Sequence, residues 1–194
     1  MITEGMGLLD GCAEYNRQCY LWDKEHDESH VATPRHVVED IYRLIGIEGF
    51  KSIWFPFNNY DSEFKKRADE LNLKYRATHQ FADHAGDFFS ILPPPGCDLM
   101  ISNPPFDRGL QNKVIERSFG LLDAGLVKSF CLLEPLSTLE TPERSAMYEA
   151  HEKRLAVIIF RKRIRFIGKD RTFNAACCWI CANVPTIKQK ILWI

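Results

Sequence analysis

Apolar residues along this chain follow two rhythms. Short runs rich in β-branched and aromatic residues recur at SIWFPF (52–57), KYRATHQ (74–80), CDLMISN (97–103), SFCLLEPL (129–136), LAVIIF (155–160) and AACCWICAN (175–183). Such runs read as strands, and the most continuous of them as strands buried on both faces. Between them, apolar positions recur at helical spacing. Thr33-Pro34 opens one such stretch, with threonine as cap, proline at the first helical position and a stripe of Val37, Val38, Ile41, Leu44 and Ile45; Gly46 and Gly49 end it. SEFKKRADELNL (62–73), RGLQNKVIERSFGLL (108–122) and residues 142–153 predict three more helices.

Strands alternating with helices predict an α/β fold with right-handed crossovers and a mostly parallel sheet. The last two strands have no helical period between them, only a basic segment, so they predict a closing hairpin that adds one antiparallel strand. Residues 1–32 are polar and mixed and read as a lead-in, with residues 33–194 as one domain. In a doubly wound sheet, ligands bind outside the carboxyl ends of the strands. Two segments fall there: WFPFNNYDSEF after the first strand and Asn103-Pro104-Pro105-Phe106 after the third.

Composition narrows the function. The 194 residues are 45% hydrophobic and 26% charged, as expected of a globular domain with one sizeable core. The net charge of −1 excludes a polycation, so affinity for nucleic acid must come from a local patch. No run is long and apolar enough to span a membrane, and the first residues lack the basic and apolar blocks of a secretory signal. Seven cysteines, two of them adjacent inside an apolar run, predict reduced, buried thiols in a cytoplasmic protein.

The corner at residues 103–106 suggests specific chemistry. Proline ends a strand because it lacks a ladder donor, and two prolines fix the backbone. An exocyclic amine conjugated to a ring is a poor nucleophile. The Asn103 side-chain oxygen and the Pro104 carbonyl can accept its two hydrogens and favour a tetrahedral nitrogen with an available lone pair. Catalysis is then positioning plus stabilisation of developing positive charge. Phe106 offers a face to a planar base. A strand-ending turn would use the same four residues, and it is their place at a strand's carboxyl end that favours function.

Here the chain resembles S-adenosylmethionine-dependent amino-methyltransferases of the N6-adenine type. Their acceptor motif, Asp/Asn/Ser-Pro-Pro-Tyr/Phe/Trp, matches Asn103-Pro104-Pro105-Phe106. ATPRHVVEDIYRLI resembles their segment before the first strand, and AGDFFSILPPPGCDLMISNPPFD resembles two of their motifs in succession. LLEPLSTLETPERSAMY, VIIFRKRIRFIG and CCWICAN are similar to the downstream half of small phage and mobile-element members. The resemblance covers roughly residues 30 to 185. It implies a Rossmann-like methyltransferase fold, S-adenosylmethionine as cofactor, and a cofactor site lined by Thr33, Pro34, Pro56, Phe57, Asp61, Asp87 and Phe88. One departure stands out. The family's first motif runs from Pro-Phe into a glycine-rich turn, whereas here Pro56-Phe57 is followed by Asn58-Asn59-Tyr60-Asp61. Asn58 and Asn59 are the residues expected to take up left-handed geometry in place of glycine. The ribose-binding acid at the end of the second strand is replaced by Thr78-His79-Gln80.

Eight basic residues, including Arg161, Lys162, Arg163, Arg165 and Lys169, fall within 19 positions against one acid, Asp170. Arginines alternate there with Ile164 and Phe166, so one face is basic and suits phosphate contacts, although a solvated hairpin would look the same. Nucleic acid is the expected partner, DNA first and RNA second. The short chain leaves target recognition to low specificity, a specificity subunit or a small or single-stranded substrate. Acceptors such as an RNA base or a protein glutamine pose the same lone-pair problem. The missing glycines and ribose acid suit a catalytically silent nucleic-acid-binding module. Cys12, Cys19, His26 and His30 have ligand chemistry for zinc, but the first spacing is wider than in zinc fingers and acids crowd the histidines, so no metal is expected.

Overall fold

The computed structural model describes residues 32–58, 62–79, 86–106, 108–167 and 172–194, without the side chains of 108, 167 and 172–175. The candidate zinc ligands, Asp61 and Lys169 lie outside the described residues. The elements in chain order are α1 (Arg35–Ile45), β1 (Ile53–Phe55), α2 (Glu63–Glu70), β2 (Tyr75–Ala77), β3 (Cys97–Ser102), α3 (Arg108–Asp123), β4 (Val127–Pro135), α4 (Pro142–Ala150), β5 (Leu155–Ile159), β6 (Ile164–Ile167), β7 (Thr172–Ala175), β8 (Cys177–Ala182) and β9 (Ile191–Trp193).

Seven strands form one sheet in the order β2-β1-β3-β4-β8-β5-β9. All neighbours are parallel except β8, which is antiparallel to both β4 and β5. The expected antiparallel strand is therefore present, but it is inserted between β4 and β5. The basic segment before it is a two-stranded ribbon of its own, β6 against β7. The parallel edge strand β9 had no counterpart in the sequence pattern.

Alternation along each strand sorts the core into two layers. Ile53 and Phe55 of β1, Leu99 and Ile101 of β3, and Cys131 and Leu133 of β4 face α1 and α2, where Val38, Ile41, Ile45 and Phe64 pack on them. Trp54, Met100, Phe130 and Leu132 face the other way, onto Val114, Ile115 and Phe119 of α3 and Tyr148 of α4. Helices on both faces explain why the strands read as continuous apolar runs.

Local signals set the ends. Ser62 caps α2 by accepting a hydrogen bond from the Phe64 amide at 3.2 Å. Gly46, in left-handed geometry, closes α1. At the start of α1 the cap differs from expectation: Pro34 is the cap residue, no side chain caps the helix, and the Val37 amide bonds to the Pro34 carbonyl at 3.0 Å. Thr33 is buried just outside it.

Five cysteines, Cys97, Cys131, Cys177, Cys178 and Cys181, are buried and free. Burial pushes the Cys97 and Cys177 thiols up to about 12, away from thiolate chemistry at neutral pH. Among the described residues no helix is long and apolar enough to cross a membrane.

The β6–β7 ribbon is held to the body through Ile164 and Phe166, both buried in the α1–α2 layer. Replacing Phe166 with alanine should release the ribbon without melting the sheet. In amide hydrogen exchange, residues 164–167 should lose protection while β3 and β4 keep theirs. Equal loss across the sheet would mean that Phe166 belongs to the global core instead.

Candidate active site

The strand order reverses between β1 and β3, since β2 follows β1 on one side and β4 follows β3 on the other. The crevice at the carboxyl ends of these two strands is the switch point where doubly wound sheets bind ligands. Pro56, Phe57 and Asn58 leave β1 there, and Asn103 to Phe106 leave β3.

A buried polar stitch forms the crevice floor. The Asn58 side-chain amide donates to the Pro56 carbonyl at 2.9 Å and to the Ser102 hydroxyl at 3.2 Å. The Ser102 hydroxyl donates to the same Pro56 carbonyl, and the Ser62 hydroxyl donates to the Asn58 side-chain oxygen. The Asn58 amide bonds to the Thr78 carbonyl at 3.0 Å, and the Trp54 indole donates to the Thr78 hydroxyl at 3.0 Å. The ends of β1, β2 and β3 and the start of α2 are thus tied together by Asn58, Ser62, Thr78 and Ser102, none of them expected in that role from the sequence. The available signal was a polar residue directly after each apolar run.

Among the described residues of the loop, Phe57 is left-handed, at φ 60°, and Asn58, one of the two asparagines expected there, is not. Asn58 uses its side chain in the stitch, and Asn59 lies outside the described residues. A non-glycine residue in this region costs about 1–2 kcal/mol. Ring packing against Phe88, at 4.8 Å between centroids, helps to offset that cost.

Phe88 itself corrects an expectation. It is 1% exposed and packs on Trp54 at 5.5 Å, so it supports the crevice from within the core instead of lining it. Asp87 is half-buried and caps its own turn, its carboxylate accepting from the Phe89 amide at 3.1 Å and the Ser90 hydroxyl at 2.8 Å. Gly86 lies against the end of β2, where an added Cβ would drive into the His79 carbonyl. The close approach brings Asp87 beside the crevice. Pro34 and Pro56 are buried.

At the corner after β3, Pro104 and Pro105 are buried while Asn103 and Phe106 are half-buried. Phe106 meets Phe166 of the ribbon edge-on, at 5.7 Å and 82°. The ribbon's inward positions are Ile164 and Phe166, and Arg161, Lys162, Arg163 and Arg165 are exposed. None of these four cations forms an ion pair among the described residues. The basic run divides beyond them, because Arg154 pairs with Asp123 at 2.6 Å on a separate surface.

The arrangement is a Rossmann-like methyltransferase fold, as the likeness to solved structures shows. One is a Listeria monocytogenes protein described as a class I S-adenosylmethionine-dependent methyltransferase, with TM-score 0.52 and 14% identity over 93% of this chain and 72% of that one. Another is the human METTL16 catalytic domain in complex with a MAT2A 3′UTR hairpin, with TM-score 0.51 and 9% identity over 93% of this chain and 83% of that one. The chain spans 51% of a modification subunit assigned to a type I restriction enzyme from Vibrio vulnificus, at 12% identity and TM-score 0.45. No protein-family model and no curated protein sequence matches the chain.

The stitch makes a ranked prediction. Asn58→Ala removes several buried hydrogen bonds and should destabilise the protein by about 2–3 kcal/mol. Ser62→Ala removes one bond within the stitch and the α2 cap, and should cost about 1 kcal/mol. Urea unfolding checks both; equal losses would contradict the central place of Asn58.

Proposed function

We propose that the protein is a methyltransferase that carries a methyl group from S-adenosylmethionine to the N6 amine of adenine in nucleic acid, DNA first. The observation that carries this reading is the Phe106–Phe166 contact, which joins the acceptor corner to the exposed cations of the ribbon. A corner suited to an amine and a surface suited to phosphates then form one site.

The described part of the crevice fits the cofactor. A left-handed turn follows β1 at the switch point, and Asp87 stands beside the end of β2 with spare acceptor capacity on its carboxylate. Thr33, Pro34, Pro56, Phe57, Asp61 and Asp87 would hold the cofactor, with Phe88 supporting Phe57 from below. When bound, the cofactor supplies an electrophilic methyl group on sulfonium. Asn103, through its side-chain oxygen, and Pro104, through its carbonyl, accept the amine hydrogens and orient the nitrogen lone pair. Pro105 keeps the corner rigid, and the exposed part of the Phe106 ring stacks on the extruded base. Arg161, Lys162, Arg163, Arg165 and Lys169 hold the flanking phosphates. These cations favour nucleic acid over a protein glutamine as acceptor. They are equally suited to RNA, and a specificity subunit would supply sequence preference.

One observation favours a silent, nucleic-acid-binding module: Asn58 stands where the family pattern turns to glycine, and its side chain is committed to buried hydrogen bonds with Pro56 and Ser102. Calorimetry with S-adenosylmethionine separates the readings, and no binding at millimolar cofactor would sink the enzyme. Asn103→Ala should lower transfer of labelled methyl by about 10²–10³-fold while cofactor binding survives, as expected for losing a preorganised polar contact. Wild-type transfer by that variant would refute the role of Asn103. Replacing Arg163 and Arg165 with glutamine should flatten the salt dependence of nucleic-acid binding by about 1.8 in log-log slope, near 0.9 for each phosphate no longer neutralised. An unchanged slope would remove the ribbon from the interface.

A further inference from the structure

A buried polar group lies beside the acceptor corner and plays no part in the chemistry above. Glu134, near the end of β4, is 0% exposed, and neither of its carboxyl oxygens has a hydrogen-bond partner among the described residues. The last paired residues of β3 and β4 are Ser102 and Leu132. Two positions further along each strand come Pro104 and Glu134, so the acid stands level with the corner. Alternation along β4 puts it on the Phe130–Leu132 side, toward α3 and α4.

Arg144 of α4, also buried, is the cation that acts on Glu134, but it directs its donors elsewhere. One terminal nitrogen donates to the Gln111 side-chain oxygen at 3.2 Å, and the other to the Ser137 carbonyl at 3.4 Å. Its Nε has no partner among the described residues. Gln111 is buried in the first turn of α3, which begins two residues after Phe106. Arg144 therefore ties α4 to the element that carries the corner onward. The other titratable groups that interact with Glu134 are Tyr148 of α4 and Cys177 and Cys178 of β8. Burial pushes all three up and so favours their neutral forms.

We propose that Arg144 is a positioning residue for the acceptor corner, holding the first turn of α3 through Gln111, and that Glu134 is the acid that competes for it. The neutral carboxyl leaves Arg144 on Gln111. The carboxylate, buried and without a hydrogen bond, draws the guanidinium away, and the corner loses its brace. Calling the braced corner an acceptor site rests on the function proposed above, but the brace itself can be tested without it.

Burial holds the Glu134 carboxyl well above the usual range. The sign follows by linkage: the neutral form is favoured by folding, so its contribution is complete below the ordinary glutamate value and falls as pH rises through the folded value. Wild type should lose stability over that window, by up to about tenfold in folding constant per pH unit, and Glu134→Gln should not.

The decisive readout is the NMR resonance of the Asn103 side-chain amide, assigned by its loss in Asn103→Ala and followed through a pH titration. In wild type it should move as Glu134 ionises, and in Glu134→Gln it should stay at the low-pH position. Gln111→Leu should abolish the movement. Arg144→Leu should displace the resonance at every pH, and Arg144→Lys should restore it in part. In transfer assays kcat should fall in wild type as pH rises through the Glu134 titration but not in Glu134→Gln, with the cofactor KM unchanged. Identical titration in wild type and Glu134→Gln overturns the proposal, as does movement that persists in Gln111→Leu. Should Arg144→Leu fail to fold, the wild-type and Glu134→Gln titrations still decide. Should no methyl transfer be detected, the proposed function falls while the resonance test stands.

Discussion

The site depends on the parallel pairing of β1 with β3 at the point where strand order reverses. Backbone pairing of Ile53 with Leu99 and Trp54 with Met100 fixes where each strand stops. The stitch of Asn58 on Pro56 and Ser102 then locks the two exits together. A buried asparagine serves well here because it donates and accepts at once, and a satisfied buried network costs far less than an unsatisfied one. The loop after β1 can therefore keep a left-handed residue without glycine.

Onto this frame the chain adds a ribbon that belongs to neither layer of the sheet. Ile164 and Phe166 bury themselves and leave the arginines between them in solvent. The energetic division is plain: apolar packing fixes the ribbon, so its charges are free to act elsewhere. Phe106 takes part in both halves, as the last residue of the corner and the first neighbour of the ribbon. Beneath the corner, Arg144 and Gln111 brace the turn into α3 from the opposite layer.

Much of the architecture was legible because helices and strands here obey their own periods. Residues 129–134 of the run SFCLLEPL are buried on both faces, and the pattern of Val37, Val38, Ile41 and Ile45 forms one face of α1. The end of β3 just before Asn103 was legible for a different reason, since proline lacks a ladder donor and stops a strand. What could not be read depended on partners distant in sequence. Nothing local to Ser102 or Thr78 announces a hydrogen bond to the β1 loop, and nothing in Phe88 says whether its ring faces a ligand or the core. Left-handed geometry was assigned to Asn58 and Asn59 on propensity, yet among the described residues of the loop it falls on Phe57, packed on Phe88, and not on Asn58. The basic segment was read as a charged face or a solvated hairpin, but not as a two-stranded ribbon separate from the main sheet, because β6 and β7 are too short to declare themselves.

For the proposed chemistry, the corner and the ribbon must act on one molecule. The direct test is mass spectrometry of nucleosides from single- and double-stranded DNA and RNA after incubation with protein and S-adenosylmethionine. N6-methylated adenine is expected in a strand long enough to reach the ribbon, with little or none in free nucleoside. Methylation at a ring nitrogen, or equal reaction of strand and free nucleoside, would contradict a shared site.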